Sequence, residues 1–286
     1  MKLTIIQAPY DSGHYGARMG GGPLHLVEKG LLDALEQAGH PAELAPVRLE
    51  GFLTEVTSAP LLHRAVAERV AAARAEGRLP VVLSGNCNTA AVGALSGIGP
   101  AAVVWMDAHG DLNTPETSPS GFFDGMALAL ATGRSWRTLS SKVPGFQALD
   151  ERNLIHLGAR DWDLGELNLV ATSPLTRLDM ETVRDQGIRA ALGRALDGIA
   201  RRVDQVYLHY DLDVLDPSEL TANEFSCPGG LTVEEALEVA RTAGSHLRIA
   251  AVGITAYDPS RDPEERGLRI VSAILQAVAG SIREAF

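Results

Sequence analysis

Two short segments carry the residue types that bind divalent cations: Asp107-Ala108-His109-Gly110-Asp111 and Asp211-Leu212-Asp213-Val214-Leu215-Asp216-Pro217. Each follows an apolar run, and in each the acidic or imidazole groups stand two residues apart. In extended chain that spacing turns Asp107, His109 and Asp111 to one side, and Asp211 with Asp213 likewise. If the two runs are neighbouring strands, five ligands meet in one crevice. So many carboxylates at close range repel one another, and a pair of divalent cations is the usual neutraliser. Carboxylate oxygens with one imidazole suit Mn2+ or a similar borderline-hard ion. Such a pair activates water as a nucleophile at neutral pH. A lone Asp-x-Asp is most often a turn or cap feature; the pairing of two such segments carries the inference.

The elements that must position these groups alternate. Short β-rich runs recur at residues 3–7, 42–47, 80–83, 101–106, 153–157, 175–178, 205–210 and 247–254. Several are nearly all apolar, as suits strands covered on both faces. Helical patterns lie between them. Leu24, Val27, Leu31, Leu35 and Ala38 repeat at three and four residues, with Pro23 at a first turn and Gly39 at a stop. Further helices are predicted over 60–77, 182–202, 232–243 and from Glu264 to the C-terminus, with a capping pattern at Thr232 to Glu235. This order predicts a parallel sheet with helices on both faces and ligands beyond the strand C-termini. The loop from Asn113 to Gly125 is rich in turn formers and follows a strand, where functional loops belong. Its Phe122 and Phe123 read as core anchors or a pocket wall, core being the more frequent outcome for aromatics.

Composition narrows the partners. A net charge of −11 without clustered Lys or Arg argues against nucleic acid. With 286 residues, 45% of them hydrophobic, the chain can bury a large core as one domain over 1–286. Cys87 and Cys227 are too few for a disulfide framework, so a cytoplasmic setting is expected. The first residues read as a strand rather than a secretory leader, and no apolar stretch has the length of a membrane span.

At these motifs the chain resembles the arginase, agmatinase and formimidoylglutamase (ureohydrolase) superfamily. The hallmarks of that superfamily are Gly-Gly-Asp-His, Asp-Ala-His-x-Asp and Asp-x-Asp-x-x-Asp-Pro. The second and third are intact here, and the similarity runs from the QAPYDSGHYGARMGGGP segment to AYDPSRDPE. The resemblance implies a three-layer αβα sandwich around an eight-stranded parallel sheet. It also implies an amidinohydrolase with two Mn2+ per subunit, and trimers or hexamers as the usual assembly. By the same resemblance, Asp107 and Asp211 bridge the ions, Asp111 completes one site, and His109 with Asp213 completes the other. Asp213, orienting the attacking hydroxide, is expected to be catalytic together with His109 and Asp124.

Departures from the pattern bear on the metal and the substrate. Ser84-Gly85-Asn86-Cys87 stands where the family has Gly-Gly-Asp-His, so Cys87 takes the place of a histidine ligand. A thiolate is softer than imidazole, which leaves the occupancy and metal preference of that site open. Asn113 and Ser120 match residues that hold a substrate α-carboxylate, and Asp163, with Asp161 nearby, matches one that binds the α-amino group. The small-molecule substrate implied is arginine or an arginine-like amino acid, cleaved to ornithine and urea or hydroxyurea. Asp124 replaces the family's proton-shuttling histidine, and Ala256 replaces a glutamate that contacts the guanidinium. With Cys87 and the NTPETSPSGFFDGM run, these changes resemble the divergent branch acting on Nω-hydroxy-L-arginine in cycloserine biosynthesis. An agmatinase- or formimidoylglutamase-type hydrolase and a catalytically silent amino-acid binder are the alternatives. His209 reads as a core histidine.

Overall fold

A computed structural model of the chain describes residues 1–51 and 53–282. Among them, eight strands form one parallel sheet: β1 (Leu3–Ala8), β2 (Ala42–Pro46), β3 (Leu79–Ser84), β4 (Ala102–Met106), β5 (Leu154–Leu157), β6 (Thr176–Leu178), β7 (Gln205–Asp211) and β8 (Arg248–Thr255). Their order in the sheet is β2-β1-β3-β8-β7-β4-β5-β6. Every predicted strand is present, displaced by a residue or so at its ends.

The strands separate two cores by their alternation. Leu3, Val81, Val104, Leu208 and Val252 face one layer of helices: α1 (Gly21–Glu28), α2 (Leu31–Gln37), α7 (Met180–Gln186), α8 (Ile188–Ile199), α9 (Val233–His246) and α10 (Arg266–Ser281). Ile6, Val82, Val103, Trp105 and Tyr207 face the other, built from α3 (Glu55–Ala75), α4 (Cys87–Ile98) and α5 (Ala127–Ala131). A further helix, α6 (Leu164–Val170), follows β5. The result is the expected three-layer αβα sandwich.

Several helices differ from their predicted extents. The patterns over 24–38 and 182–202 are each two helices, because Gly30 (φ 93°) and Gly187 (φ 75°) adopt left-handed backbone that breaks the run. Helix α3 begins at Glu55, ahead of Pro60, since a proline near the start forfeits only one backbone hydrogen bond. The predicted extension of the last helix to the C-terminus lies, from residue 283, outside the described residues. Helix α4 was not legible at all: its Gly, Asn, Thr and Ser content gives poor helix propensity. Packing supplies what propensity does not. A Cβ on Gly93 would sit 2.5 Å from Val66 of α3, so glycine lets the two helices approach closely.

That contact matters because α4 starts at Cys87. Gly93→Ala is expected to cost about 1–3 kcal/mol by overpacking, read as a lower denaturant midpoint at unchanged slope; an unchanged midpoint would show that the helices have room to part.

Candidate active site

Five adjacent strands, β3, β8, β7, β4 and β5, end at one edge of the sheet. Thr255 of β8 pairs with Ser84 of β3 and with Asp211 of β7, and Met106 pairs with Tyr210. The segments after these strand ends therefore bring Cys87, Asp211, Asp107 and Asp161 together. The two acidic motifs come from neighbouring strands, as their inferred chemistry requires.

The period-two alternation does not extend past the strands, and here the structure corrects the sequence argument. Asp213 lies in a 3-10 turn, Leu212–Val214, in which its N–H donates to Asp211 Oδ1 at 2.9 Å. The His109 N–H donates to Asp107 Oδ1 at 2.8 Å, and Asp111 adopts left-handed backbone with φ 55°. The ligands converge because each leading aspartate bonds the backbone two residues on and folds the chain into a turn. Arg160 anchors the second turn. Its Nη2 donates to the carbonyls of Asp213 at 2.9 Å and Cys227 at 2.8 Å, and its Nη1 to Gly158 at 3.1 Å.

All six metal-type residues line one pocket of about 240 Å3, the scale of a small-molecule site. Ligand atoms of Cys87, Asp107 and Asp111 lie within 4.8 Å of one another, as do those of Asp107, His109 and Asp213. Asp107 belongs to both groups. Asp211 accepts from the Cys87 thiol at 3.0 Å and faces the same space.

The electrostatics of this cluster fit a site for metal cations. Burial, then the charge of Asp213, pushes the Asp107 carboxyl up; burial, then neighbouring aspartates, pushes Asp111 and Asp211 well up. Burial and the Asp211 charge raise the Cys87 thiol well above its ordinary value. Among the described residues, no Lys or Arg lines the pocket. Burial pulls the His109 imidazole down, but Asp107 and Asp213 outweigh it and raise its pKa far above the usual value. His109 Nδ1 lies 3.4 Å from Asp107 and 3.3 Å from Asp213, between the anions, where a cation balances them.

Asp124, expected to be catalytic in place of the shuttling histidine, lines the pocket with both carboxylate oxygens engaged as acceptors. Its Oδ2 accepts from Asn86 Nδ2 at 3.0 Å and the Cys87 N–H at 2.9 Å, and its Oδ1 from the Asn88 N–H at 2.9 Å and Nδ2 at 2.7 Å. Burial raises its pKa to about 6 against the pull of these donors. With both oxygens accepting, Asp124 is an anchor for the N-terminus of α4, and so for Cys87.

The substrate-side residues gather at the mouth. Asn113 Nδ2 donates to Asp163 Oδ2 at 2.7 Å, and Asp163 caps α6 in a box with Glu166. Ser120 and Asp161 line the rim. The loop phenylalanines divide: Phe123 is core, while Phe122 is pocket wall, 5.8 Å from Phe225. Asn223 and Phe225 carried no sequence signal. Asn223 Nδ2 donates to Asp213 Oδ2 at 3.2 Å and to the Ala256 carbonyl at 2.9 Å, so it too fixes Asp213. His209 is a core residue, fully buried and stacked on Trp105.

Residues 1–280 match the sequence model of the Arginase family. The chain belongs to the arginase family. Arginase-family proteins are metal-dependent amidinohydrolases, and this one is accordingly a hydrolase of C–N bonds in linear amidines. It is 29% identical over 278 residues to an arginase from Glaciozyma antarctica, covering 90% of this chain and 80% of that one. Its fold matches the arginase of Bacillus cereus with a TM-score of 0.88 at 26% identity, over 98% and 99% of the two chains. It likewise matches the Entamoeba histolytica arginase solved in complex with L-ornithine, with a TM-score of 0.85 at 24% identity and 98% of each chain covered. Among the described residues, no helix is long and apolar enough to cross a membrane.

In metal-free protein two buried carboxyls should withdraw stability as pH rises, against His63, His156 and His209, whose burial-lowered pKa values act in the opposite direction. Asp124 (about 6) and Glu55, raised by burial and then by Asp124 to about 7, both have folded pKa values above their ordinary ones. Folding thus favours their protonated forms, so their contribution is fully present below about pH 4 and lost as pH rises through about 6 to 7. Thermal scans in chelator of wild type and Glu55→Gln should show the variant gaining on the wild type from pH 5 to pH 8, since only the glutamate must ionise in its buried site; a difference that does not change with pH would refute this reading.

Proposed function

We propose that this arginase-family enzyme uses two Mn2+ ions to hydrolyse the guanidino group of an arginine-like α-amino acid, releasing ornithine and urea or hydroxyurea. One observation carries the reading: two ligand groups share Asp107 at the floor of a pocket whose rim pairs neutral donors with carboxylates. Cys87, Asp107, Asp111 and Asp211 would hold one ion, and Asp107, His109, Asp211 and Asp213 the other. When bound, such a pair lowers the pKa of water towards about 7 and supplies the nucleophile at neutral pH.

The chain's own residues orient the reaction. Asn113, Ser118 and Ser120 offer amide and hydroxyl donors to an α-carboxylate, while Asp161 and Asp163 accept from an α-ammonium. The Entamoeba histolytica neighbour binds L-ornithine, a ligand with the same amino-acid head. Asp213, held by Asn223, the Ala108 N–H and the Arg160-clamped turn, is the fixed acceptor that orients attack. Phe122 and Phe225 close one side of the mouth with apolar surface and limit access of bulk water.

Ala256 favours a weakly basic guanidine. It lines the pocket without a side-chain anion, so a fully cationic guanidinium gains no ion pair there. A hydroxyguanidine, less basic, loses little by that absence.

Turnover of arginine, Nω-hydroxy-L-arginine, agmatine and formimidoylglutamate with Mn2+ is the direct assay. Hydroxyarginine is expected to have the highest kcat/KM, and Asp163→Ala to lower it roughly 10- to 100-fold through KM, the scale of one charged hydrogen bond. Preference for agmatine, with Asp163→Ala neutral, would overturn the amino-acid assignment.

A further inference from the structure

Behind the Cys87 sulfur runs a line of buried polar groups that the chemistry above does not use. Cys87 Sγ lies 3.1 Å from Thr255 Oγ1, Thr255 Oγ1 lies 3.3 Å from His209 Nε2, and His209 Nδ1 lies 2.9 Å from Tyr207 Oη. None of the four residues is more than 2% exposed. The His209 ring is stacked on Trp105, centroids 3.6 Å apart and planes 8° from parallel, which fixes its orientation. Gly253, beside His209 on the neighbouring strand, leaves the space in which phenol and imidazole meet: a Cβ there would sit 2.2 Å from Tyr207 Oη.

One direction along this line gives every proton an acceptor. A neutral imidazole has one donor and one acceptor. In that direction the buried Tyr207 hydroxyl donates to its partner Nδ1, which leaves the Nε2–H to donate to Thr255 Oγ1. The threonine proton then points forward, to the sulfur at 3.1 Å or to the Tyr210 carbonyl at 3.3 Å, the sulfur being nearer. A donor directed at sulfur favours the thiolate, the form in which cysteine binds metals. The same stack serves a second ligand, since Trp105 Nε1 donates to Asp107 Oδ2 at 3.1 Å.

We propose that Tyr207, His209 and Thr255 form a positioning line that presents the Cys87 sulfur to the metal centre, with the Thr255 hydroxyl setting how strongly that thiolate holds its ion. The proposal rests on Cys87 being a ligand, so its test separates the two ideas. Metal-free protein is titrated with Co2+, whose thiolate complexes absorb by charge transfer, and binding is followed in the same spectrum. The wild type should show the thiolate band and Cys87→Ser should lack it. Thr255→Val should shift the band and weaken Co2+ binding about 10- to 100-fold, the range for outer-shell partners of metal ligands, and Thr255→Ser should restore both. Tyr207→Phe, which changes only the far end of the line, should act in the same direction by a smaller factor, and it decides the matter if Thr255→Val does not fold. A wild-type band that Thr255→Val or, failing that, Tyr207→Phe leaves unmoved, with Co2+ affinity within twofold, overturns the positioning line and spares the ligand. No thiolate band in the wild type overturns both.

Discussion

The arrangement turns on an electrostatic demand. Asp107, Asp111, Asp211 and Asp213 are buried at the ends of neighbouring strands, and among the described residues no Lys or Arg reaches into their pocket. Anions so placed are disfavoured by burial and by one another, unless positive charge arrives from outside the chain. The His109 imidazole, its pKa raised by Asp107 and Asp213, is the group on the chain placed to answer that demand with a proton. Because metal binding requires deprotonated ligands, a bound cation would take the place of that proton rather than fill an indifferent cavity.

Much of the surrounding structure holds this costly cluster in register. The parallel sheet brings the ends of β7 and β4 side by side, and backbone turns after each strand aim the remaining ligands inward. Arg160 ties down one turn through carbonyl oxygens, Asn223 braces Asp213, and Asp124 anchors the helix that carries Cys87. Each support is a polar group whose own hydrogen-bonding capacity is consumed by the task. Asp124 thus holds the helix N-terminus with both oxygens, while burial raises its pKa to about 6.

What was legible in the sequence follows from which signals are local. Apolar runs such as residues 102–106 mark buried strands by composition alone, and Asp-Ala-His-Gly-Asp marks a ligand segment because its chemistry is written in consecutive residues. Helix α4 left no such mark, since it is stabilised by its fit against Val66 and Val70 rather than by propensity. Asn223, Phe225 and Thr255 were likewise hidden: each is an ordinary residue whose role exists only through the partner the fold sets against it. Thr255 meets Cys87 across 168 positions. The turn geometry at Asp111 and Asp213 was missed for a related reason, because strand periodicity ends where the strand does.

Asp107 is the residue on which a two-ion centre most depends, since both ligand groups include it. The most direct measurement is therefore the number of divalent ions bound per chain, by equilibrium dialysis with elemental analysis, in wild type and Asp107→Asn. A two-ion centre requires two ions in the wild type and loss of both from the variant at matched free metal. A wild type that holds none, or a variant that keeps both, would contradict it.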